Sequence, residues 1–256
     1  MHIIFGIHAV ISHIAKCKDN IINVHILQDT HNDRLNKIIT LCNSHNIPIQ
    51  KTTHGTLDKL SKNGNHQGVV IEINNPPTIK YSIEDIIEQS SEQDNAIIII
   101  LDGITDQHNL GAIIRTAECF NVNAIILPKD NSANVENSTT YRVSCGAIEH
   151  IPVITVSNIN HTIDTLKKHG YWAVGTALSP HSQSLFTFNF DKKTIIVMGS
   201  EENGIRKLVR ENCDYLVQIP TLGHTQSLNV SVAAGVVLSH MKYLEHTHHI
   251  NTPKKD

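Results

Sequence analysis

The sequence predicts an α/β protein: a parallel-sheet domain in the C-terminal two-thirds, preceded by a small α/β unit. Three observations carry this. From residue 96 onward, short apolar runs alternate with segments of helical period. The stretch "INNPPTIKYS" (73–82) breaks both periods with two prolines preceded by two asparagines, which marks a linker. The chain has 256 residues, 40% hydrophobic and 18% charged, enough to bury a sizeable core in one large domain or two ordinary ones.

In the small front unit (1–75), a short strand leads into a helix over 8–16. Strand "NVHILQ" (23–28) precedes a helix over 32–45, where Leu35, Ile38, Ile39 and Cys42 fall at helical spacing. Strand "IPIQ" (47–50), a short helix near 56–62 and strand "GVVIEI" (68–73) complete it. Residues 76–94 form a linker and lead-in helix. The large domain (95–246) has strands "AIIIIL" (96–101), "AIILP" (124–128), "IPVITV" (151–156), "YWAVGTA" (171–177), "TIIVMG" (194–199) and "YLVQIP" (215–220). Helices near 109–120, 134–144, 158–169, 205–212 and 229–243 separate or follow them. Continuous apolar strands between helices imply a mostly parallel sheet covered on both faces. Residues 247–256 read as a tail.

Composition excludes several classes. The net charge of −3 gives no global nucleic-acid signature, although a local patch suffices for an RNA partner. Residues 1–75 carry seven Lys/Arg against five Asp/Glu, a net of +2, while the remainder carries fourteen against nineteen, a net of −5. An anionic ligand is therefore expected at the front unit. Five scattered cysteines without a CxxC pair read as reduced thiols of a cytoplasmic protein. "HTHH" (246–249) lacks a carboxylate or Cys partner at ligand spacing, so no metal is expected. No apolar run approaches the roughly 20 residues of a membrane span. The N-terminal stretch lacks a basic region and a small-residue cleavage site, so no signal peptide is expected.

A parallel α/β domain suggests a nucleotide-like ligand at the C-terminal ends of its strands. The first strand of the large domain runs into "LDGITDQHNLG", not GxGxxG, and "GSEENGIR" (199–206) has Ile205 and Arg206 where a P-loop needs Lys and Ser/Thr. Three strand-end loops remain: "VGTA" (174–177), "MGSEENG" (198–204) and "IPTLGHTQSLN" (219–229). Each is a simple turn or a place where backbone approaches a ligand, and three together favour a shared pocket. In "DQHNLGAIIRTAECF" (106–120), Asn109 can cap a helix whose stripe is Leu110, Ile113, Ile114 and Ala117. Arg115 lies off that stripe, on the side of Gly111. "QSLNVSVAAGVV" (226–237) is a helix start with no charge, read either as a capped buried helix or as part of a binding site.

These residues carry a resemblance. "NLGAIIRTA" (109–117), "IIVMGSEENGI" (195–205) and "IPTLGHTQSLNVSVAAG" (219–235) resemble the motifs of SpoU-type (TrmH-like) RNA 2′-O-methyltransferases of the SPOUT superfamily. "YRVSCGAIEHIPV" (141–153) is similar to the family's S-x-G-A-x-E-x-x-P segment. "FGIHAV" (5–10) and "HQGVV" (66–70) resemble the L30-like RNA-binding domain of the subfamily that modifies a guanosine in the peptidyl-transferase loop of large-subunit (23S) ribosomal RNA.

The resemblance implies a deep trefoil knot, a homodimer that packs its knot helices, and S-adenosylmethionine held among the knot loops. By position, Gly199, Ile219, Leu228 and Ser227 line the cofactor site, with Thr176 and Ala177 nearby. Asn109, Arg115, Glu201, Ser227 and Asn229 match active-site residues. His8, His66 and Gln67, at turns, are the candidates for RNA contact. Two departures stand out: Gln107 where the family has Pro, which should loosen the turn, and Glu202 where it has Gly. The family's mechanism gives the ribose proton to the motif arginine. A guanidinium gives up its proton only far above neutral pH, so Arg115 suits a charge-assisted donor better, with Asn109 and Glu201 holding it and the ribose in place. Glu201 is the alternative base. Methylation of tRNA or of another rRNA nucleotide, and a catalytically silent RNA-binding or ribosome-assembly protein, remain open as alternatives.

Overall fold

The computed structural model describes residues 2–28, 32–74, 81–225 and 227–251. Residues 76–80 of the expected linker, Gln226 and the last five residues of the expected tail lie outside them. The chain folds as two compact units, 1–80 with 134–150, and 81–133 with 151–256.

In the first unit, strand β1 (His2–Phe5) turns at Gly6 into α1 (Ile7–Cys17). Gly6 adopts φ 96°, a conformation open to glycine. β2 (Ile21–Leu27), α2 (Asp33–Ser44), β3 (Ile49–Thr52), α3 (His54–Ser61) and β4 (Val69–Ile73) follow. The sheet order is β1-β4-β2-β3, with β4 antiparallel to both neighbours and β2 parallel to β3. Alternation along β2 sends Val24 and Ile26 into a core with Ile14 of α1, Leu35 and Ile38 of α2, and Ile71 of β4. On the other face, Leu57 of α3 packs with Phe5 and Val70.

Segment 134–150, expected in the large domain, joins this unit. Its Tyr141 enters the α1–α2 core. Glu149 reaches the buried ring of His13 on α1, and Lys16 donates to the Glu149 carbonyl at 2.9 Å. Both contacts span more than a hundred residues, so no local signal announces them.

The second unit opens with α4 (Ile83–Ser91), started by a capping box between Ser82 and Asp85. It continues with β5 (Ala96–Asp102), α5 (Gln107–Cys119) and β6 (Ala124–Pro128). After α6 (Ser138–Ser144) of the first unit come β7 (Val153–Val156), α7 (Ile159–Lys168), β8 (Trp172–Thr176) and the two-residue β9 (Gln183–Ser184). β10 (Lys193–Gly199), α8 (Lys207–Glu211), β11 (Tyr215–Gln218) and α9 (Val230–Asn251) complete it. The strand order is β7-β6-β5-β10-β8-β11-β9, and every pairing is parallel. All seven residues of β5 are buried, because helices cover both faces. Ile98 and Ile100 face Ile163 and Leu166 of α7, while α5 packs against α9.

Each strand and helix expected from the periodicity is present, β6 with the expected bounds and the others with shifted ends. The helix expected at 134–144 begins at Ser138, because the Asn137 side chain caps it. α9 runs to Asn251 rather than 243, since no glycine or proline stops it before Pro253. Among the described residues no helix is long and apolar enough to cross a membrane.

Candidate cofactor and active site

The C-terminal ends of β8, β10 and β11 surround a cavity of about 310 Å³ in the second unit. It lies at the C-terminal ends of three neighbouring parallel strands, the end at which parallel sheets hold their ligands. Thr176 and Ala177 close one side, Gly199 and Glu201 another, Ile219 a third, and Ser227 and Leu228 the approach to α9. All six residues expected at the cofactor thus line one cavity. Met198, Val217, Leu228 and Ile219 make much of its wall apolar, and backbone at Gly199 and Gly204 supplies polar groups. This mixture suits a ligand with a flat apolar ring system and polar edges, as in an adenosine. The Thr176 hydroxyl is already engaged, donating to the Val197 carbonyl at 3.2 Å.

The loop after β10 is folded onto itself. Gly204 N–H donates to the Ser200 carbonyl at 2.8 Å, and Asn203 N–H to Ser200 Oγ at 3.2 Å. A Cβ on Gly199 would lie 2.0 Å from the Gly204 carbonyl carbon. Glycine is therefore required here by the loop's own backbone, before any ligand is considered. Of the loop's residues only Gly204 has positive φ, at 63°, so Glu202 sits in the family's glycine position without strain.

Beside the cavity lies a polar cluster. Glu201 Oε1 accepts from Asn229 Nδ2 at 2.7 Å, from the Val230 backbone N–H at 3.2 Å and from Asn109 Nδ2 at 3.3 Å. Asn229 Nδ2 also donates to Asn109 Oδ1 at 2.9 Å. Asn229 starts α9: its carbonyl accepts from Ala233 N–H, and its Oδ1 from Ser231 N–H at 2.9 Å. The Glu201 carboxylate therefore sits at the positive end of a long helix. Asn109, expected as the cap of α5, lies inside its first turn instead. The cap is Asp106, whose Oδ1 accepts from Asn109 N–H at 2.7 Å. That bond orients Asn109 toward Glu201. Gln107 is the first helical residue, the position proline tolerates best, and the Asp106 cap holds the turn without one.

Arg115 stands exposed on α5, the helix that carries Asn109. Ser227 shares the cavity wall with Glu201. In the first unit, His8 is exposed on the first turn of α1. His66 is only 4% exposed; its Nδ1 accepts from Gly68 N–H at 3.0 Å and its Nε2 faces Asp58 at 3.3 Å. Its role is internal, holding the 66–68 turn, which corrects the expectation of a surface contact. Gln67 is exposed at φ 52°, with Oε1 accepting from Ile7 N–H at 3.0 Å.

His54, Asp58 and His66 form one cluster of metal-ligating types, and His13, Cys17 and Glu149 another. In the first, His66 Nδ1 is an acceptor, so Nε2 carries the proton toward Asp58. A ligating histidine has the opposite arrangement, donating from its second nitrogen. Sequence reasoning missed Asp102, Asp106 and Arg206 in the second unit. Asp106 had a legible signal, an aspartate three residues ahead of Asn109.

Residues 96–239 match the model of the SpoU rRNA Methylase family, and residues 3–78 match the model described as RNA 2′-O ribose methyltransferase substrate binding. The chain is 41% identical over 236 residues to a protein of Neisseria meningitidis named 23S rRNA (guanosine-2′-O-)-methyltransferase RlmB, covering 92% of each chain. It is 38% identical over 235 residues to the protein of that name from Escherichia coli, covering 92% of this chain and 95% of the other. Among solved structures, the AdoMet-bound rRNA methyltransferase of Sinorhizobium meliloti superposes with a TM-score of 0.72 at 22% identity, covering 94% of this chain and 87% of that one. The SpoU methyltransferase AviRb of Streptomyces viridochromogenes does so with a TM-score of 0.76 at 19% identity, covering 96% and 90%. At these identities the superpositions speak for the fold.

Proposed function

The chain belongs to the SpoU rRNA methylase family, and from that premise we propose that it methylates the ribose 2′-hydroxyl of a guanosine in the peptidyl-transferase loop of 23S ribosomal RNA, using S-adenosylmethionine. One observation carries the reading: Asn109, Glu201 and Asn229 form a bonded cluster at the wall of a cavity lined by all six expected cofactor residues.

S-adenosylmethionine supplies a methyl group on a sulfonium, a strongly activated electrophile. The protein's task is then to orient the 2′-hydroxyl in line and to manage its departing proton. In this reading Gly199, Ile219, Leu228, Thr176, Ala177 and Ser227 hold the cofactor. Glu201, with one oxygen engaged by three donors, fixes both asparagine amides and the first turn of α9. Asn109 and Ser227 face the ribose. Arg115 keeps its proton and donates to the 2′-oxygen or the neighbouring phosphate as negative charge grows there. The proton passes to solvent.

The first unit, with net positive charge over 1–75, acts as the L30-like RNA-docking domain, reading RNA through shape and phosphates. Exposed His8 and Gln67 are its candidate contacts. The late strand β10 lies between β5 and β8, a strand order that supports the knotted path of the family. Val232 and Tyr243 of α9 are 52% and 64% exposed, which supports α9 as the face of a homodimer. Such a protein works on ribosomal RNA in the cytoplasm and needs no metal.

The test is mass-spectrometric mapping of ribose methylation in 23S rRNA from cells with and without the gene. A second arm measures methyl transfer by the purified protein to rRNA and tRNA transcripts. Loss of one guanosine methylation, restored by the protein in vitro, is the expected result. Transfer to tRNA alone, or no binding of S-adenosylmethionine, overturns the proposal.

A further inference from the structure

Asp102 closes β5 with a fully buried side chain, and a single residue takes both of its oxygens. Oδ2 accepts from the Arg206 backbone N–H at 2.9 Å, and Oδ1 from Arg206 Nε–H at 2.7 Å. The two residues are 104 apart in sequence, and Asp102 pairs in register with Gly199, where the cofactor loop begins. Arg206 ends that same loop. The carboxylate thus pins the far end of the segment that carries Glu201.

A tether alone needs only the backbone bond. The second bond does something more: it fixes the plane of the guanidinium. An arginine has five N–H donors, and Asp102 uses one of the side chain's, leaving both Nη groups. Neither Nη has a protein partner among the described residues, and the Arg206 side chain is 57% exposed. It borders a groove of about 250 Å³ together with Lys207, Asn158 and Asn160. Lys207 makes a loose 3.8 Å pair with Glu211. A pre-oriented guanidinium edge beside a second cation and two amides matches the geometry of a phosphate diester.

We propose that Arg206, aimed by the buried Asp102, binds a backbone phosphate of the RNA strand that presents the target ribose. This rests on the RNA methyltransferase reading. Arg206 and Lys207 are then an RNA contact in the methyltransferase unit itself, additional to the front unit.

The test compares wild-type protein with Arg206→Ala, Arg206→Gln and Arg206→Lys, using a 23S rRNA transcript as the probe. RNA affinity is measured across a series of salt concentrations, with S-adenosylmethionine affinity and thermal midpoint measured alongside. Losing one phosphate contact should flatten the salt dependence by about one unit of slope in the Ala and Gln variants. Lys keeps the charge and therefore the slope, with weaker binding through loss of the fork. S-adenosylmethionine affinity should hold. An unchanged RNA slope and affinity in the Ala and Gln variants overturns the proposal. So does a change confined to cofactor affinity and thermal midpoint, since Arg206 is then only a tether. Failure of wild-type protein to methylate any rRNA fragment strikes the functional reading instead, while the slope comparison still decides whether Arg206 touches RNA.

Discussion

Asn229 Nδ2 donates to Asn109 Oδ1 at 2.9 Å across 120 residues of chain, and the two amides share Glu201 Oε1. The start of α9, the start of α5 and the loop after β10 therefore meet at one carboxylate oxygen. A hydrogen bond to a charged group contributes about 1.5–3 kcal/mol. Glu201→Gln removes the charge and turns one acceptor into a donor, so the methyl-transfer kcat should fall about 10- to 100-fold. Asn229→Ala should fall similarly and also loosen the first turn of α9. Steady-state kinetics on an rRNA transcript checks both, and full activity in Glu201→Gln removes Glu201 from the site.

Arg115 is expected to act as a donor to developing charge. Removing one such donor costs on the order of 10²–10³ in kcat. Arg115→Ala should therefore lose about that much, with Arg115→Lys recovering part of it through retained charge. A guanidinium stays protonated across the working range, so the two variants should differ from wild type in rate and not in the shape of the pH profile. A pH limb that disappears in Arg115→Lys would make Arg115 a proton acceptor.

The Gly199 position follows from steric contact alone. An added Cβ would lie 2.0 Å from the Gly204 carbonyl carbon and 2.2 Å from Ile205 N, both backbone atoms that cannot rotate away. The loop must open to accept it, costing about 1–3 kcal/mol of packing strain. Gly199→Ala should weaken S-adenosylmethionine binding by at least tenfold in titration calorimetry, because the loop it displaces walls the cavity. Gly223→Ala is the control, since nothing lies within 4 Å of its Cβ position.

The strands and helices were readable because their causes are local. Apolar runs such as Ala96–Leu101 and the spacing of Leu35, Ile38 and Cys42 are written in consecutive residues. The cavity residues were readable through family motifs at three strand ends. What escaped depends on pairs distant in the chain: Asp102 with Arg206, His13 with Glu149, and β10 lying between β5 and β8. An isolated aspartate after a strand carries no mark of its partner. Similarly, His66 at a loop looked like a surface residue until its two bonds, to Gly68 and toward Asp58, turned it inward.

Burial raises three thiols above their ordinary value of 9.0: Cys42 to about 11, Cys213 to about 12, and Cys17 to about 11, where the Glu149 charge adds to burial. The fold favours the neutral thiol at each. That stability is present in full below about pH 9 and is lost as pH rises toward 11 and 12. The thermal midpoint should accordingly hold to pH 9 and fall above it. Exposed Cys119 should alkylate first in the native protein, with Cys42 and Cys213 modified only on unfolding. Mass spectrometry of the time course resolves the order.

The His13–Glu149 pair offers the sharpest test of why segment 134–150 folds with the front unit. His13 is fully buried and Glu149 is 2% exposed. His13 Nε2 faces Asn20 Oδ1 at 2.8 Å, so both ring nitrogens meet acceptors, and Ser12 Oγ lies 3.3 Å from the second Glu149 oxygen. Removing one member of such a pair leaves the other buried without its counter-charge, a loss of about 3–5 kcal/mol. Glu149→Ala should thus cost roughly 3 kcal/mol in urea unfolding. Replacing both members with leucine should recover most of it, because two apolar side chains leave no stranded charge. Amide hydrogen exchange over 145–150, where the Glu149 N–H donates to the Gly146 carbonyl and the His150 N–H to that of Ala147, should rise in the single variant and recover in the double. A single variant that costs less than about 1 kcal/mol would mean that Tyr141, buried among α1 and α2, holds the segment without help from the pair.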